Sequence, residues 1–469
     1  MVFNTISFLI LFLLLYTLYW KLPLIVSGIS LSIESRKWML LFASFVFYGW
    51  WSIPFLIHFA NFVALNYLIY FFVDRPSKRM IAILVSLNLI HLAFFKYFYF
   101  LVSLTFNQSF IEYVSPASGI VPEIILPLGI SFYTFQIMAF HIDKYRGDID
   151  YPVSMKDFVL FIMFFPQLVA GPIMRHNEFL PYIKKPVQLR KNWVDKGIFL
   201  FLIGVTKKVL VADIISVAID PVFSDPASFS ARANLIALYG FAIQIYMDFS
   251  GYSDMARGLA YLLGYRIPVN FAAPYFSESF REFWRRWHIT LSQWLRDYLY
   301  VSLGGNRVSK ARTYFNLSAT MVLGGLWHGA NLTFLVWGAL HGFYLVVERA
   351  LKLFPKPNER LFVKIVRAVI VFHLVLLAWS FFRADSISTA FQMIQAITTS
   401  AATQDIKFAM KVEWLLGIVV IMHIYEYRPR WFVKVWQWRA FVLPAASVVI
   451  GFAILSFATA SVPFIYFQF

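Results

Sequence analysis

Three histidines and a dense cluster of arginines lie within residues 280–342, a stretch that also contains five tryptophans. The histidines are His288, His328 and His341. An imidazole can take a proton from an attacking hydroxyl near neutral pH, and guanidinium groups bind phosphates and carboxylates. We therefore expect any chemistry of this protein to take place in this stretch, as proton transfer beside an anion-binding surface.

Residues 284–298 have the periodicity of a helix that lies in the interface of a membrane. At about 100° per residue, tryptophans and leucines fall on one arc between Trp284 and Tyr298, and arginines fall on the adjacent arc. Tryptophan at headgroup depth and arginine facing water or phosphate are typical of interfacial helices. His288 falls at the border of the two arcs, where an interfacial hydrogen-bonding role and a catalytic role are both open.

His328 lies in the middle of one hydrophobic segment, Tyr314–Val347, in the sequence GGLWHGAN. The glycines around it remove side-chain bulk, which would leave room for a substrate to approach the imidazole. A titratable side chain inside a span is a functional-site hypothesis, and the alternative is a histidine that bonds a neighbouring helix. His341 comes thirteen positions later, so in a straight helix it points about 140° away and would not share the site of His328.

Several other polar side chains interrupt apolar runs. Lys207 and Lys208 either extend to an interface or face a wet interior. Asp254 can pair with an arginine three positions on, whereas Asp248 has no such local partner. Gln136 belongs to a run of small and polar residues that indicates either a helix packing seam or polar groups facing an interior.

The composition indicates a polytopic membrane protein. Hydrophobic residues make up 60% of the 469 residues and charged residues 14%, and the mean hydropathy is +0.68, more apolar surface than a water-soluble exterior could hide. The excess of 41 Lys+Arg over 24 Asp+Glu fits cytoplasmic loops under the positive-inside rule, and the placement of the basic residues argues against nucleic-acid binding. Cysteine is absent, which excludes disulfides, a thiolate nucleophile and cysteine metal sites.

Hydrophobic runs predict about ten transmembrane helices, with one or two further pieces too broken to cross unaided. The first run, Phe3–Tyr19, lacks the flanking charge and the cleavage site of a signal peptide. Trp38–Val73 is long enough for two helices broken near Trp51–Pro54, and Phe158–Met174 has too many prolines and glycines for one straight helix. No repeat of paired transporter halves is visible.

Six segments of the chain form a distinctive set: LPLGISFYTFQ (126–136), FFPQLVAGPIMR (164–175), QIYMDFSGYSDMARGL (244–259), FWRRWHITLSQWLRDYLYVSLGGNR (283–307), GGLWHGAN (324–331) and FIYFQF (464–469). Together these segments resemble the membrane-bound O-acyltransferase (MBOAT) family, and within it the bacterial branch of alginate and peptidoglycan O-acetyltransferase membrane subunits. The resemblance runs from near the first residue to the last. It implies a single integral-membrane acyltransferase domain over residues 1–469, all-α, with about ten transmembrane helices plus re-entrant and interfacial helices around a central tunnel.

The resemblance also implies roles for particular residues. His328 would be the family's catalytic histidine near the middle of the tunnel, and His288 a second catalytic position near the cytoplasmic face. The acyl donor would be acetyl-CoA, with no bound cofactor and no metal. Whether His328 acts as a general base or is transiently acylated stays open. The residues expected to bind substrate are Arg281, Arg285, Arg286, Trp287, Ser292, Arg296, Asp297, Asn331, Asp248 and Gln136.

The implied acceptor is an extracytoplasmic polysaccharide such as alginate, peptidoglycan or a related exopolysaccharide. It would be reached directly or through a periplasmic or extracellular acetyl-accepting partner that resembles SGNH hydrolases. The implied location is the bacterial cytoplasmic (inner) membrane, with several passes through the bilayer. A transporter that moves acetyl groups without transfer chemistry, and a scaffold without an active site, remain alternatives. Replacement of His328 separates them, because only the transferase needs the imidazole.

Overall fold

The computed structural model describes residues 3–25, 31–73, 76–106, 123–406, 409–427, 439–457 and 463–465. Every regular element among these residues is a helix, apart from one isolated bridge between Phe229 and Gln404. The predicted all-α class is confirmed. The chain divides into two compact units, residues 1–201 with 255–268 and residues 202–254 with 269–469. The single domain over residues 1–469 stays a prediction.

The first unit contains the helices of the N-terminal part of the chain. They are α1 (Ile6–Ile25), α2 (Ile33–Gly49), α3 (Ile53–Phe72), α4 (Lys78–Thr105), α5 (Ile130–Arg146), α6 (Met155–Met163), α7 (Phe165–Leu168), α8 (His176–Ile183) and most of α9 (Lys191–Val205). Its interior includes contacts between Phe8, Phe47 and Phe165, whose ring centroids are 5.8–6.1 Å apart. These rings join α1, α2 and α7.

The second unit holds the stretch with the predicted chemistry. Its helices are the π-helix π1 (Thr206–Ala212), α10 (Asp213–Ser224), most of α11 (Ala231–Leu262), α12 (Phe280–Arg286), α13 (Ile289–Trp294), the π-helix π2 (Leu295–Tyr300), α14 (Lys310–His328), α15 (Leu332–Ala350), α16 (Leu361–Arg383), α17 (Ile387–Thr399), α18 (Ala409–Tyr427) and α19 (Arg439–Phe457).

The two predicted breaks in the first unit are confirmed. Ser52 separates α2 from α3, since its hydroxyl accepts a hydrogen bond from the Phe55 amide and Pro54 occupies the first turn of α3. Both residues favour a helix start, because the hydroxyl satisfies an amide with no partner inside the helix and proline has no amide to satisfy. Phe158–Met174 likewise separates into α6, the short α7 and an irregular tail.

The prediction of one continuous helix over residues 284–298 is wrong. The chain leaves α12 at Trp287, and His288 adopts a left-handed conformation with φ of +40° before α13 begins. The segment 270–272 explains the break, because it binds backbone groups that a continuous helix would use itself. The Ile289 amide donates to the Asn270 carbonyl at 2.9 Å, and the Arg286 carbonyl accepts from the Ala272 amide at 3.0 Å.

The hydrophobic segment Tyr314–Val347 is also divided between two helices, α14 and α15. Gly329 is extended after α14, and Asn331 caps α15 by accepting a hydrogen bond from the Thr333 amide at 3.0 Å. An asparagine side chain that bonds the first free amides favours a new helix start over continuation. Helices α14 and α15 therefore pack against each other as a pair on either side of a short turn.

By length and composition, three of the described helices could cross a membrane: α3, α4 and α16. Large apolar side chains are exposed along them, for example Phe72 at 78% and Phe362 at 75%. Other predicted spans are shorter as helices, or include charged side chains such as Lys207. The total of about ten transmembrane helices stays a prediction.

Candidate functional site

His328 is the last residue of α14 and lies among aromatic rings. Its imidazole is 5.0 Å from Trp327, 5.1 Å from Trp337 and 5.2 Å from Phe382, measured between ring centroids. The side chain is buried, with 3% of its surface exposed. Three helices, α14, α15 and α16, therefore position this imidazole, and apolar ring faces and edges form much of its surroundings.

The glycines near His328 bring helices together; they do not leave an open space. A β-carbon on Gly325 would overlap the Phe334 carbonyl and lie 3.1 Å from the Gly338 α-carbon. A β-carbon on Gly329 would overlap the Phe334 ring. The prediction that these glycines leave room for a substrate is wrong, because α15 fills that room.

We expect Gly338→Ala to destabilise the pairing of α14 and α15. The new methyl group would overlap the backbone carbonyl of Met321, which has no free rotation to move away. Overpacking of this kind costs roughly 1–3 kcal/mol. Thermal unfolding in detergent should show a lower midpoint for Gly338→Ala. Gly417→Ala is the control, since a β-carbon there meets nothing within 4 Å, and an equal loss in both variants would contradict the assignment.

His288 is completely buried, at 0% exposure, and does not lie at the border of an interfacial helix as predicted. Its Nδ1 is 3.2 Å from Asn270 Oδ1. The same oxygen accepts from the Thr290 amide at 3.2 Å and from the Thr290 hydroxyl at 3.0 Å. An amide oxygen can only accept hydrogen bonds, so His288 Nδ1 must carry the hydrogen that it donates to Asn270. The lone pair of the neutral ring therefore lies on Nε2.

Three histidines and two tryptophans alternate through the interior of the second unit. His288 is 6.1 Å from Trp327, which contacts His328, and Trp337 contacts both His328 and His341, the latter at 4.8 Å. We call these five side chains the histidine–tryptophan chain. The straight helix on which His341 was expected to point away from His328 is wrong, because a turn separates α14 from α15, and Trp337 contacts both imidazoles.

A cavity of about 530 Å³ lies beside the His341 end of the histidine–tryptophan chain. It is formed by α12, α13, π2, α14 and α15, and Trp284 is part of its wall. Trp284 in turn contacts both His341 and Trp337, at 5.1 and 5.8 Å between ring centroids. His328 does not line this cavity; Trp284 and Trp337 stand between them. The structure thus connects cavity and histidine through ring contacts.

The cavity wall is basic. Four arginines line it, and the acidic residue among the lining side chains is Glu348. Arg281, Arg285 and Arg349 are exposed, as is Arg296, which is paired with Asp297 at 2.6 Å. Clustered guanidinium groups at the mouth of a cavity favour phosphate or carboxylate ligands.

Four of the predicted substrate-binding residues line the cavity and six do not. Those on the wall are Arg281, Arg285, Ser292 and Arg296. Among the predicted residues that do not line the cavity, Arg286 donates a hydrogen bond to Glu282 at 2.6 Å. Trp287 is packed between rings such as Phe283 and Trp379. Asp297 forms the ion pair with Arg296. Asn331 caps α15 and donates to the Asp385 carbonyl at 3.0 Å.

The other two predicted residues are held elsewhere by buried polar partners. Asp248 is 2.7 Å from Lys208 and accepts a hydrogen bond from the Ile465 amide at 2.6 Å. Gln136 belongs to the first unit, where it donates to the Phe161 carbonyl at 2.8 Å and accepts from Gln167 at 3.2 Å. Neither side chain lines the basic cavity.

The two lysines of π1 are buried in ion pairs. Lys207 lies 2.8 Å from Asp254 and 2.9 Å from Glu426, and Lys208 lies 2.8 Å from Asp213 as well as 2.7 Å from Asp248. Their exposures are 2% and 4%. The sequence suggested that these lysines extend to the membrane interface or face a wet interior. The structure instead shows both ammonium groups paired with carboxylates.

Sequence reasoning missed two residues that the structure brings to this region. Arg349 lines the cavity from the last turn of α15, a position that reads as an ordinary charge at a helix end. His341 was set aside on helical geometry. The Asn331 capping position after GGLWHG could have indicated the turn and so restored His341 to the site.

The fold and the site define a helical membrane protein with buried imidazoles behind an arginine-lined cavity. The model of the MBOAT, membrane-bound O-acyltransferase family matches residues 80–387. This chain belongs to the membrane-bound O-acyltransferase family, and it is an O-acyltransferase.

Individual relatives agree with the family. The chain is 41% identical over 411 residues to the probable alginate O-acetylase AlgI of Pseudomonas aeruginosa, covering 85% of this chain and 75% of that protein. It is 35% identical over 393 residues to the peptidoglycan O-acetyltransferase of Helicobacter pylori, covering 77% and 73%. It is 28% identical over 268 residues to the teichoic acid D-alanyltransferase of Bacillus subtilis, covering 53% and 66%.

Proposed function

We propose that this protein transfers an acetyl group from cytoplasmic acetyl-CoA toward the hydroxyl groups of an extracytoplasmic polysaccharide. The observation that carries the proposal is the contact sequence from the arginine-lined cavity through Trp284 and Trp337 to His328. Both the arginine-lined cavity and the buried imidazole belong to one compact unit, which supports the proposal. Relatives named as alginate and peptidoglycan O-acetyltransferases support acetyl as the group that is transferred.

The donor enters through the basic cavity in this proposal. A coenzyme A thioester carries phosphates at one end and an uncharged arm at the other. Arg281, Arg285 and Arg349 are exposed on the wall and would bind the phosphates by charge-assisted hydrogen bonds. The cavity volume of about 530 Å³ lies within the ordinary range for ligand sites, roughly 300–1,000 Å³.

His328 is the proposed proton acceptor. An acceptor hydroxyl attacks the thioester carbonyl, the carbon–sulfur bond breaks, and the sulfur leaves with the bonding electrons. The imidazole takes the hydroxyl proton and returns it to the sulfur, so the ring ends the cycle neutral. The dry aromatic surroundings strengthen the hydrogen bonds that the ring makes to the reacting atoms. His288, whose contact to His328 runs through Trp327, stays a predicted second catalytic position.

The final acceptor is proposed to be alginate, peptidoglycan or a related polysaccharide outside the bacterial inner membrane. An SGNH-hydrolase-like partner on that side would accept the acetyl group and complete the ester. The test is mass spectrometry of wall and secreted polysaccharides from cells with and without the gene for this chain. A polysaccharide that loses O-acetyl groups identifies the acceptor. Unchanged O-acetylation of every polysaccharide would contradict the proposal.

We expect Arg285→Glu to weaken the binding of acetyl-CoA through loss of phosphate contacts. Charge-assisted hydrogen bonds contribute about 1.5–3 kcal/mol, so the KM for acetyl-CoA should rise roughly 10- to 100-fold. Acetyl-N-acetylcysteamine, a thioester without phosphates, should be used equally well by the variant and the parent. Arg312→Glu is the matched control, an exposed arginine of the same unit that does not line the cavity. Equal changes with both donors would count against a phosphate site at Arg285.

A further inference from the structure

His341 contacts three other polar aromatic side chains, and two of these, Trp284 and Trp337, connect the basic cavity with His328. His341 contacts Trp284 at 5.1 Å, Trp337 at 4.8 Å and Tyr344 at 5.9 Å between ring centroids. Phe283 stacks on the imidazole at 5.9 Å with an interplanar angle of 11°. We call His341, Trp284, Trp337 and Tyr344 the His341 box.

The polar atoms of this box are buried and have no hydrogen-bond partner in the described part of the chain. They are both ring nitrogens of His341, Nε1 of Trp284 and of Trp337, and the hydroxyl of Tyr344. The exposures are 0% for His341, 1% for Trp337, 6% for Tyr344 and 9% for Trp284. Buried polar groups are almost always hydrogen-bonded, and a cluster of exceptions beside a ligand cavity points to a ligand.

The chemistry of these atoms defines the kind of ligand. The two indoles can only donate a hydrogen bond, the tyrosine hydroxyl can donate, and a neutral imidazole donates from one nitrogen and accepts at the other. Donors therefore outnumber obligatory acceptors. None of the four side chains carries a full charge when the imidazole is neutral. Such a set favours an uncharged group rich in carbonyl oxygens, with an amide hydrogen for the remaining imidazole nitrogen.

The position of the box defines where along a ligand that group lies. Trp284 belongs both to the box and to the wall of the arginine-lined cavity, and Trp337 belongs to the box and contacts His328. A ligand that binds its phosphates at the arginines and reacts at His328 has its uncharged middle part at the box.

We propose that the His341 box binds the amide and carbonyl groups of the donor's uncharged arm. His341 is then a substrate-binding residue of the transfer site. The inference rests on the proposed function, because it takes an acyl thioester with amide groups as the donor. It adds a residue and a chemical preference: a donor whose arm lacks amides binds less tightly, even with its phosphates intact.

Binding can be measured apart from catalysis in a His328→Ala background. The probe is S-(2-oxopropyl)-CoA, which keeps the phosphates, the amides and a carbonyl but cannot transfer an acetyl group. Its Kd is measured on the purified full-length protein in detergent for His341→Phe and His341→Gln. His423→Phe is the matched control, since His423 is 1% exposed, is surrounded by the rings of Tyr246, Tyr275 and Phe276, and lies outside the cavity wall.

We expect His341→Phe to raise the Kd roughly five- to tenfold, the effect of removing one or two neutral hydrogen bonds. His341→Gln keeps a donor and an acceptor and should recover part of the affinity. In the otherwise intact enzyme, KM for acetyl-CoA should rise more than kcat falls. An unchanged Kd in His341→Phe, or an equal rise in His423→Phe, overturns the inference. Undiminished acetyl transfer by His328→Ala overturns the proposed function itself, and the binding result does not depend on it.

Discussion

Replacing His328 with alanine is expected to lower O-acetyl transfer by a factor of roughly 10²–10⁴, the usual contribution of a positioned general base. The imidazole lies at the end of α14 against Trp327, Trp337 and Phe382, with 3% of its surface exposed. No solvent buffer can replace it efficiently in such surroundings. The measurement is the O-acetyl content of the polysaccharide in cells, with transfer from labelled acetyl-CoA by the purified protein.

Two further variants make this result specific. His328→Gln keeps a polar side chain without a basic nitrogen, and it should be as inactive as His328→Ala. His423→Ala removes a second buried histidine, at 1% exposure, and should keep transfer as long as the protein folds. Full acetylation with either His328 variant would favour a channel for acetyl groups or a scaffold. Comparable membrane levels of all three proteins are needed for the comparison.

Replacing Lys208 with methionine is expected to lower the free energy of unfolding by about 3–5 kcal/mol, the cost of leaving a buried charge without its partner. Lys208 is 4% exposed and lies within 2.8 Å of Asp213 and 2.7 Å of Asp248. Methionine fills a similar length but leaves two carboxylates facing an apolar interior. The measurement is the thermal unfolding midpoint in detergent.

Arg232→Met provides the comparison for this prediction. Arg232 pairs with Asp405 and Glu413 at 2.8 and 2.7 Å, but its side chain is 57% exposed, so water can replace its partners. The thermal unfolding midpoint of Arg232→Met should therefore differ little from that of the parent protein. If Lys208→Met and Arg232→Met lowered the midpoint by similar amounts, the buried pairing would contribute no more than a surface pair.

Composition and local signals were sufficient for the fold class and for several helix boundaries. Apolar content predicted a membrane protein, and Pro54 with Ser52 produced the predicted break between α2 and α3. His328 was singled out because a titratable residue stood in an apolar segment, and the structure places it beside two tryptophans in the interior. Its catalytic role stays a prediction for the experiments above.

Tertiary contacts account for what the sequence could not predict. The break at His288 depends on Asn270, whose side chain and backbone bind residues 288–290. The spacing of residues along one helix contains no information about a partner eighteen positions away. The glycines near His328 were misread for the same reason, since only the packed pair of α14 and α15 shows that Gly325 faces Gly338.

The histidine–tryptophan chain also limits how protons can move between the three imidazoles. An indole can give a hydrogen bond but cannot accept a proton, so Trp327 and Trp337 interrupt any conducting wire between the three imidazoles. Each imidazole can therefore exchange a proton with a bound reactant without passing that proton along the row of rings to the next histidine.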